Sequence, residues 1–310
     1  MPPDADTLTL CRGRLSVCVM PGVGGGISRF DWREGTRVFP LMRPCASTSQ
    51  ASAGDVDPNQ LACYPLLPWS NRVAHGGFFY GGRWIALPRN RADDAYPIHG
   101  SAWQCRWQVV RHETHEVELA LQVLEPDSYA YRATLIYRLH EDALRVEMKV
   151  TNAGCFPLPF GMGLHPFFPR NRETRIVAPA EAVWANDGID PLPTMRQAVP
   201  QCWDFSQDVE VPAGAVNHAF VGWTGRAVIE WPDAAIRLHM AAEVDAYVLY
   251  VPAGRDFFCF EPADHPINAM HLAGGAVANG MTELAPGESL ERAFVFRVDA
   301  CRSEPEEAIR

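Results

Sequence analysis

The chain has 310 residues, 47% of them hydrophobic and 21% charged, so it carries enough apolar material for a large core and is not disordered by composition. Its formal net charge is −10, from 37 acidic and 27 basic residues, which argues against nucleic acid as the main partner because phosphate binding needs a basic face. The first residues lack a basic segment followed by an apolar run, and no stretch of roughly 18 apolar residues occurs. The expectation is a cytoplasmic protein with no signal peptide and no membrane span.

Along the chain, Gly22-Val-Gly-Gly-Gly26 comes first. Its spacing fails Gly-x-Gly-x-x-Gly and no helix follows, so it reads as a turn between two strands. The 26 prolines are scattered almost evenly and leave little room for long helices. The longest proline-free windows, 98–125 and 127–156, read as strands. In 117–123 and again in 144–150 every second residue is apolar, which places each set on one face of a sheet. A short polar link at 140–143 joins 133–139 to 144–150 as a hairpin, and Pro232-Asp-Ala joins 227–231 to 235–240 in the same way. Strands at 247–251, 257–260 and 291–298 complete the series. Many short strands without helical alternation predict an all-β sandwich or barrel, and one domain of 1–310 with a core of about 17–298.

The nine cysteines (11, 18, 45, 63, 105, 155, 202, 259 and 301) are odd in number and form no Cys-x-x-Cys pair. Most fall in apolar stretches, so they read as buried free thiols of a reducing compartment.

Four segments set polar groups among aromatics, which is how sugar sites are built. In 68–82, Asn71 and Arg72 are adjacent in a loop-like stretch, and an arginine fork suits sugar hydroxyls. His99 lies between Ile98 and Gly100, at a turn. His165 precedes Pro166, which keeps it extended, and an imidazole titrating near neutrality suits a general acid. Glu261 also precedes a proline and ends an apolar run; a carboxylate there is costly unless used, and desolvation would make it a stronger base.

Taken in order, Pro21-Gly-Val-Gly-Gly-Gly-Ile, Leu41-Met-Arg-Pro44, Ser70-Asn-Arg-Val with Gly76–Phe78 and Gly82, Ile98-His-Gly100, Gly163-Leu-His-Pro-Phe-Phe168 and Phe260-Glu-Pro262 resemble the aldose 1-epimerases, the galactose mutarotase-like group. The resemblance runs from about Val17 to Val298. It implies that family's large antiparallel β-sandwich, the galactose mutarotase-like supersandwich. It also implies His165 as general acid, Glu261 as general base, and Asn71, Arg72 and His99 as substrate contacts. In Val216-Asn-His-Ala-Phe-Val-Gly-Trp223, Asn217 stands where the family usually has a sugar-binding aspartate, so it keeps an acceptor but loses a charge.

The implied activity is isomerase chemistry on a free hexose. Glu261 takes the C1 hydroxyl proton while His165 protonates the ring oxygen, from opposite sides of the C1–O5 unit. Neither a redox cofactor nor a metal is required, and the partner is a small sugar, with the chain a monomer or homodimer. Competing readings are a sugar-binding module without catalysis and a mutarotase for a phosphorylated or unusual sugar, with Arg89 and Arg91 as phosphate contacts. Two others are less supported. A glycoside hydrolase needs two carboxylates, and Glu261 and Asp264 are close in sequence. A zinc enzyme would have to use His265 and His271 with Glu261 nearby, but no His-Glu-x-x-His or cysteine cluster occurs and Pro266 breaks any helical motif.

Overall fold

The computed structural model describes residues 7–46, 56–125 and 128–300. Alternation of apolar and polar residues decides its architecture. In Glu116–Val123, Tyr131–Leu139 and Ala143–Asn152, every second side chain is buried. The second and third pair as the expected hairpin, with Leu139 opposite Leu144 and Ala133 opposite Val150. They lie in a nine-stranded antiparallel sheet that also contains Gln108–His112, Ser289–Ala300 and the hairpin of Arg226–Trp231 with Ile236–Ala242. Pro232–Ala234 makes the turn of that second hairpin, and Ala235 closes it in the left-handed region.

A second, eight-stranded sheet carries the strands that matter for the site: Val216–Val221, Ala246–Val251, Phe257–Ala263, Gly163–Leu164 and Pro65–Leu66, with Phe167–Pro169 paired beside Phe257–Ala263. The inner faces of the two sheets enclose one continuous core that includes Leu135, Val146, Phe220, Tyr247, Phe258 and Phe260. The architecture is the expected all-β antiparallel sandwich. The only α-helix among the described residues is the four-residue Gly275–Ala278, and none is long and apolar enough to cross a membrane.

A further four-stranded sheet holds the N-terminal strands, and the glycine run makes the turn between Leu15–Met20 and Gly26–Glu34. Gly24 has a φ of 63°, and a Cβ there would lie 2.1 Å from the Trp103 carbonyl oxygen, so no larger residue fits.

The cysteines differ from expectation. All eight within the described residues are free thiols, but only Cys45, Cys63 and Cys259 are buried, while Cys11, Cys155 and Cys202 are exposed. Cys11 shows why: in Leu8–Arg12 the core takes Leu8 and Leu10, and the alternation turns Cys11 outward. Cys301 lies outside the described residues.

Candidate active site

Strand Phe257–Ala263 opens as an apolar run of four residues, yet it has two different faces. Phe258 and Phe260 point into the core, while Phe257 and Glu261 line a cavity of about 690 Å³. Register extends this face across the sheet, since Asn217 pairs with Tyr250 and Tyr250 with Cys259. Asn217 and Tyr250 line the same cavity, together with Asn71, Arg72, His99, His165, Arg43, Arg91 and Arg255. All six residues singled out in the sequence therefore converge on one cavity.

His165 occupies the break between Gly163–Leu164 and Phe167–Pro169. Its backbone N–H donates to the Tyr64 carbonyl (2.9 Å), and its ring packs against Phe167, stacked at 4.6 Å, and against Tyr64, tilted at 4.6 Å. Its Nε2 lies 3.2 Å from Glu261 Oε1. The pair is almost withdrawn from water, at 7% and 2% exposure. Burial pushes the Glu261 carboxyl up to about 8, against a weaker downward pull from Arg72. Burial also pulls the His165 imidazole down to about 3, with Arg43 and Arg72 adding to the effect. Each shift disfavours the charged form. His165 Nδ1 and Glu261 Oε2 are buried with no hydrogen-bond partner among the described residues, an arrangement that asks for a functional explanation. The two side chains stand side by side at the cavity wall.

Asn71 and His99 are tied to each other. Both adopt left-handed backbone, with φ of 59° and 61°. The Asn71 N–H donates to His99 Nδ1 (3.0 Å), and the His99 N–H donates to the Asn71 carbonyl (3.0 Å). With Nδ1 an acceptor, the ring proton of His99 resides on Nε2. Burial, then the neighbouring His165, hold this imidazole neutral by lowering its pKa well below the usual value. Arg72 grips Asp94 with Nε at 3.0 Å and Nη2 at 2.7 Å.

The loop carrying Asn71 and Arg72 is held from behind by residues that sequence reasoning gave no such role. His265 Nε2 accepts from the Ser70 N–H (3.1 Å), and its Nδ1 bonds the Pro266 carbonyl (2.9 Å). Asn268 accepts from the Ala74 N–H (2.9 Å) and donates its own N–H to the Arg72 carbonyl (3.0 Å). Both ring nitrogens of His265 are thus committed to backbone, and His271 Nε2 bonds the Gly77 carbonyl (2.8 Å), so the pair offered for zinc is not assembled. Asp264, the nearest carboxylate in sequence to Glu261, is outside the cavity, bound by Arg292 (2.6 Å) and the Met162 N–H (2.8 Å). That removes the carboxylate pair a hydrolase reading would have used.

Of the two arginines offered as phosphate contacts, Arg91 lines the cavity but is paired with Asp93 (2.5 Å), and Arg89 is not in the lining and donates to the Ala92 carbonyl (3.0 Å). Arg43 and Arg255 were missed. Arg43 lies over the Phe167 ring at 3.9 Å and donates to the Asn59 and Leu61 carbonyls. Its motif, Leu41-Met-Arg-Pro44, was the available signal. Arg255 is exposed at the rim and makes no salt bridge among the described residues; a turn arginine gives no sequence signal.

Comparison with known proteins agrees with this picture. The family model described as aldose 1-epimerase matches residues 6–297. An uncharacterized Escherichia coli K12 protein, YphB, is 34% identical over 300 residues, covering 94% of this chain and 98% of that one. A crystal structure from E. coli K12, described only provisionally as an aldose 1-epimerase, superposes with a TM-score of 0.85 at 33% identity, covering 95% of this chain and 99% of that one. A galactose mutarotase-like protein from Clostridium acetobutylicum shares the fold with a TM-score of 0.80 at 18% identity, over 94% and 95% of the two chains. The ordered motifs, the antiparallel sandwich and the family match together make this chain a member of the aldose 1-epimerase family.

Proposed function

We propose that the chain is a mutarotase that interconverts the α and β anomers of a hexose by opening and reclosing the ring, with His165 and Glu261 as its acid–base pair. The observation that carries this reading is the contact of those two side chains, 3.2 Å apart, at a polar cavity large enough for a monosaccharide. The two oxygens that exchange protons in the reaction, the C1 hydroxyl and the ring oxygen, are bonded to one carbon. Groups serving both must be neighbours, which the side-by-side arrangement supports.

The pair needs one proton between its two members, one to give while one is taken. Between about pH 3 and 8 it holds that single proton, whichever member carries it. In the form of the pair in which the shared proton has passed to His165, Glu261 accepts the hydroxyl proton and His165 protonates the ring oxygen, and on reclosure the roles reverse. A positioned acid or base of this type contributes roughly 10²–10⁴-fold. Arg72, fixed by Asp94, and neutral His99, a donor through Nε2, bind sugar oxygens, with Asn71 and Asn217 beside them.

A second reading is favoured by one observation. Arg255 faces the cavity without a salt-bridge partner among the described residues, and Asn217 is uncharged, so the rim suits a sugar bearing an anionic group.

The test is the rate at which freshly dissolved α-D-glucose and α-D-galactose reach anomeric equilibrium, by polarimetry. Acceleration that disappears in His165→Ala is expected. No acceleration with these sugars, their 6-phosphates or their uronates would overturn the enzyme reading and leave a sugar-binding module.

A further inference from the structure

One buried nucleophile takes no part in this chemistry. Cys259 stands two residues before Glu261 on strand Phe257–Ala263, hence on the same face, and it is fully buried. Its sulfur, a Glu261 carboxylate oxygen and a His165 ring nitrogen all lie within 4.8 Å of one another. Thiolate, imidazole and carboxylate are the ligand types of zinc, with bonds of about 2.0–2.3 Å, which puts neighbouring ligand atoms of a tetrahedral site roughly 3.5 Å apart. No pair of the three atoms therefore needs to close by more than about 1.3 Å, within reach of small side-chain rotations.

Two further observations support a ligand here. Glu261 Oε2 and His165 Nδ1 are buried and lack partners among the described residues. The charges also balance: a dication with one thiolate, one carboxylate and one neutral imidazole is neutral overall, as a buried site requires. Magnesium and calcium do not fit, since they demand six or more oxygen ligands and this cluster offers one carboxylate.

We propose that His165, Cys259 and Glu261 form a binding site for a thiophilic divalent cation of the zinc type, and that its occupation switches the acid–base pair off. Coordination replaces the Cys259 S–H bond with a sulfur–metal bond and displaces the proton that the His165–Glu261 pair holds below about pH 8, so two protons are released to solvent. Three protein ligands leave a fourth position for water. Binding stands on its own; the switching half rests on the mutarotase reading.

The experiment uses the full chain stripped with a chelator. Zn²⁺ is titrated in competition with a chromophoric chelator, and Co²⁺ is added as a spectroscopic substitute. One tight site per chain and a sulfur-to-cobalt charge-transfer band are expected. Cys259→Ala should weaken Zn²⁺ at least tenfold and remove the band, and Cys259→Ser provides the same comparison if alanine perturbs folding. Stoichiometric Zn²⁺ should halt anomerisation in the wild type, EDTA should restore it, and Cys259→Ala should stay active at tenfold higher Zn²⁺. Equal Zn²⁺ affinity and an unchanged band in both variants would overturn the proposal, assigning binding to other cysteines such as the exposed Cys11, Cys155 and Cys202. If the wild type anomerises no sugar, the mutarotase reading fails while the affinity and spectral comparisons still decide the metal site.

Discussion

The nine-stranded sheet and the walls of the cavity follow opposite plans. In Tyr131–Leu139 and Ala143–Asn152 the backbone is regular throughout, no residue has a positive φ, and every second side chain enters the core. Around the cavity, regularity gives way: Asn71 and His99 are left-handed, His165 lies in a gap between two short strands, and the loop behind them is held by side-chain bonds from His265 and Asn268. Repetition stabilises by burying area, and any one link can be altered without moving the site. The irregular wall aims individual atoms and tolerates little change.

Substitutions on the two sides of this divide should give opposite signatures. The largest effect is expected for Glu261→Gln, with anomerisation slowed at least 10²-fold and folding intact. Stability should move the other way. The Glu261 carboxyl is raised to about 8 from an ordinary 4.5, so the folded state holds its proton more tightly than the unfolded state. Wild-type stability therefore falls as pH rises from about 4.5 to 8, and the variant escapes this loss. Melting curves should place Glu261→Gln above wild type at pH 8.5 by a few degrees, with the difference gone near pH 4. A lower Tm at pH 8.5 would contradict the cost assigned to the buried carboxylate.

Leu135→Ala supplies the contrast. Leu135 is fully buried in the regular sheet, and its truncation should cost about 2–5 kcal/mol by denaturant unfolding while the rate per folded molecule stays within about twofold. A large loss of specific activity would erase the distinction between support and site.

The pH profile is a subtler probe. Below about 8 the pair holds its proton; above it the carboxyl loses that proton and kcat/KM should fall. The acid limb should lie near 3, where His165 takes up a second proton. A limb at pH 6 to 7 would mean that His165 is not desolvated as its surroundings demand. The smallest effect is expected for Asn217→Asp, which restores the family's usual charge without touching the pair. Its activity on neutral hexoses should change by less than about tenfold, with a shift in KM rather than kcat, whereas a gain in kcat beyond that would place Asn217 nearer the chemistry.

The same divide explains what was legible in the sequence. Period-two alternation gave both hairpins and the sandwich, because burial on one face leaves a repeating imprint. His165 and Glu261 stood out as titratable groups before prolines in aromatic surroundings. The adjacency of Asn71 and His99 left no such trace, since it depends on two left-handed residues 28 positions apart bonding each other. Arg255 reaches the cavity from a loop, and only folding distinguishes it from a solvated arginine, whereas Arg43 had its motif as a signal. Cys259 was concealed by its run: apolar on both sides, it gave no hint that alternate residues face a cavity.

The rings around His165 carry a stereochemical consequence. Arg43 lies over Phe167 (3.9 Å), Phe167 stacks on His165 (4.6 Å), and Tyr64 packs at an angle against both His165 (4.6 Å) and Phe167 (6.1 Å), with Trp103 stacked beyond it (5.2 Å). An imidazole packed against two rings, with its backbone N–H bonded to Tyr64, can shift slightly but cannot swing through the arc needed to follow its substrate. On the proposed chemistry, the pivot must then be the sugar's own C1, turning against a stationary donor and acceptor. Such a centre is indifferent to handedness at C1, and the configuration at every other carbon has to be read by the rim.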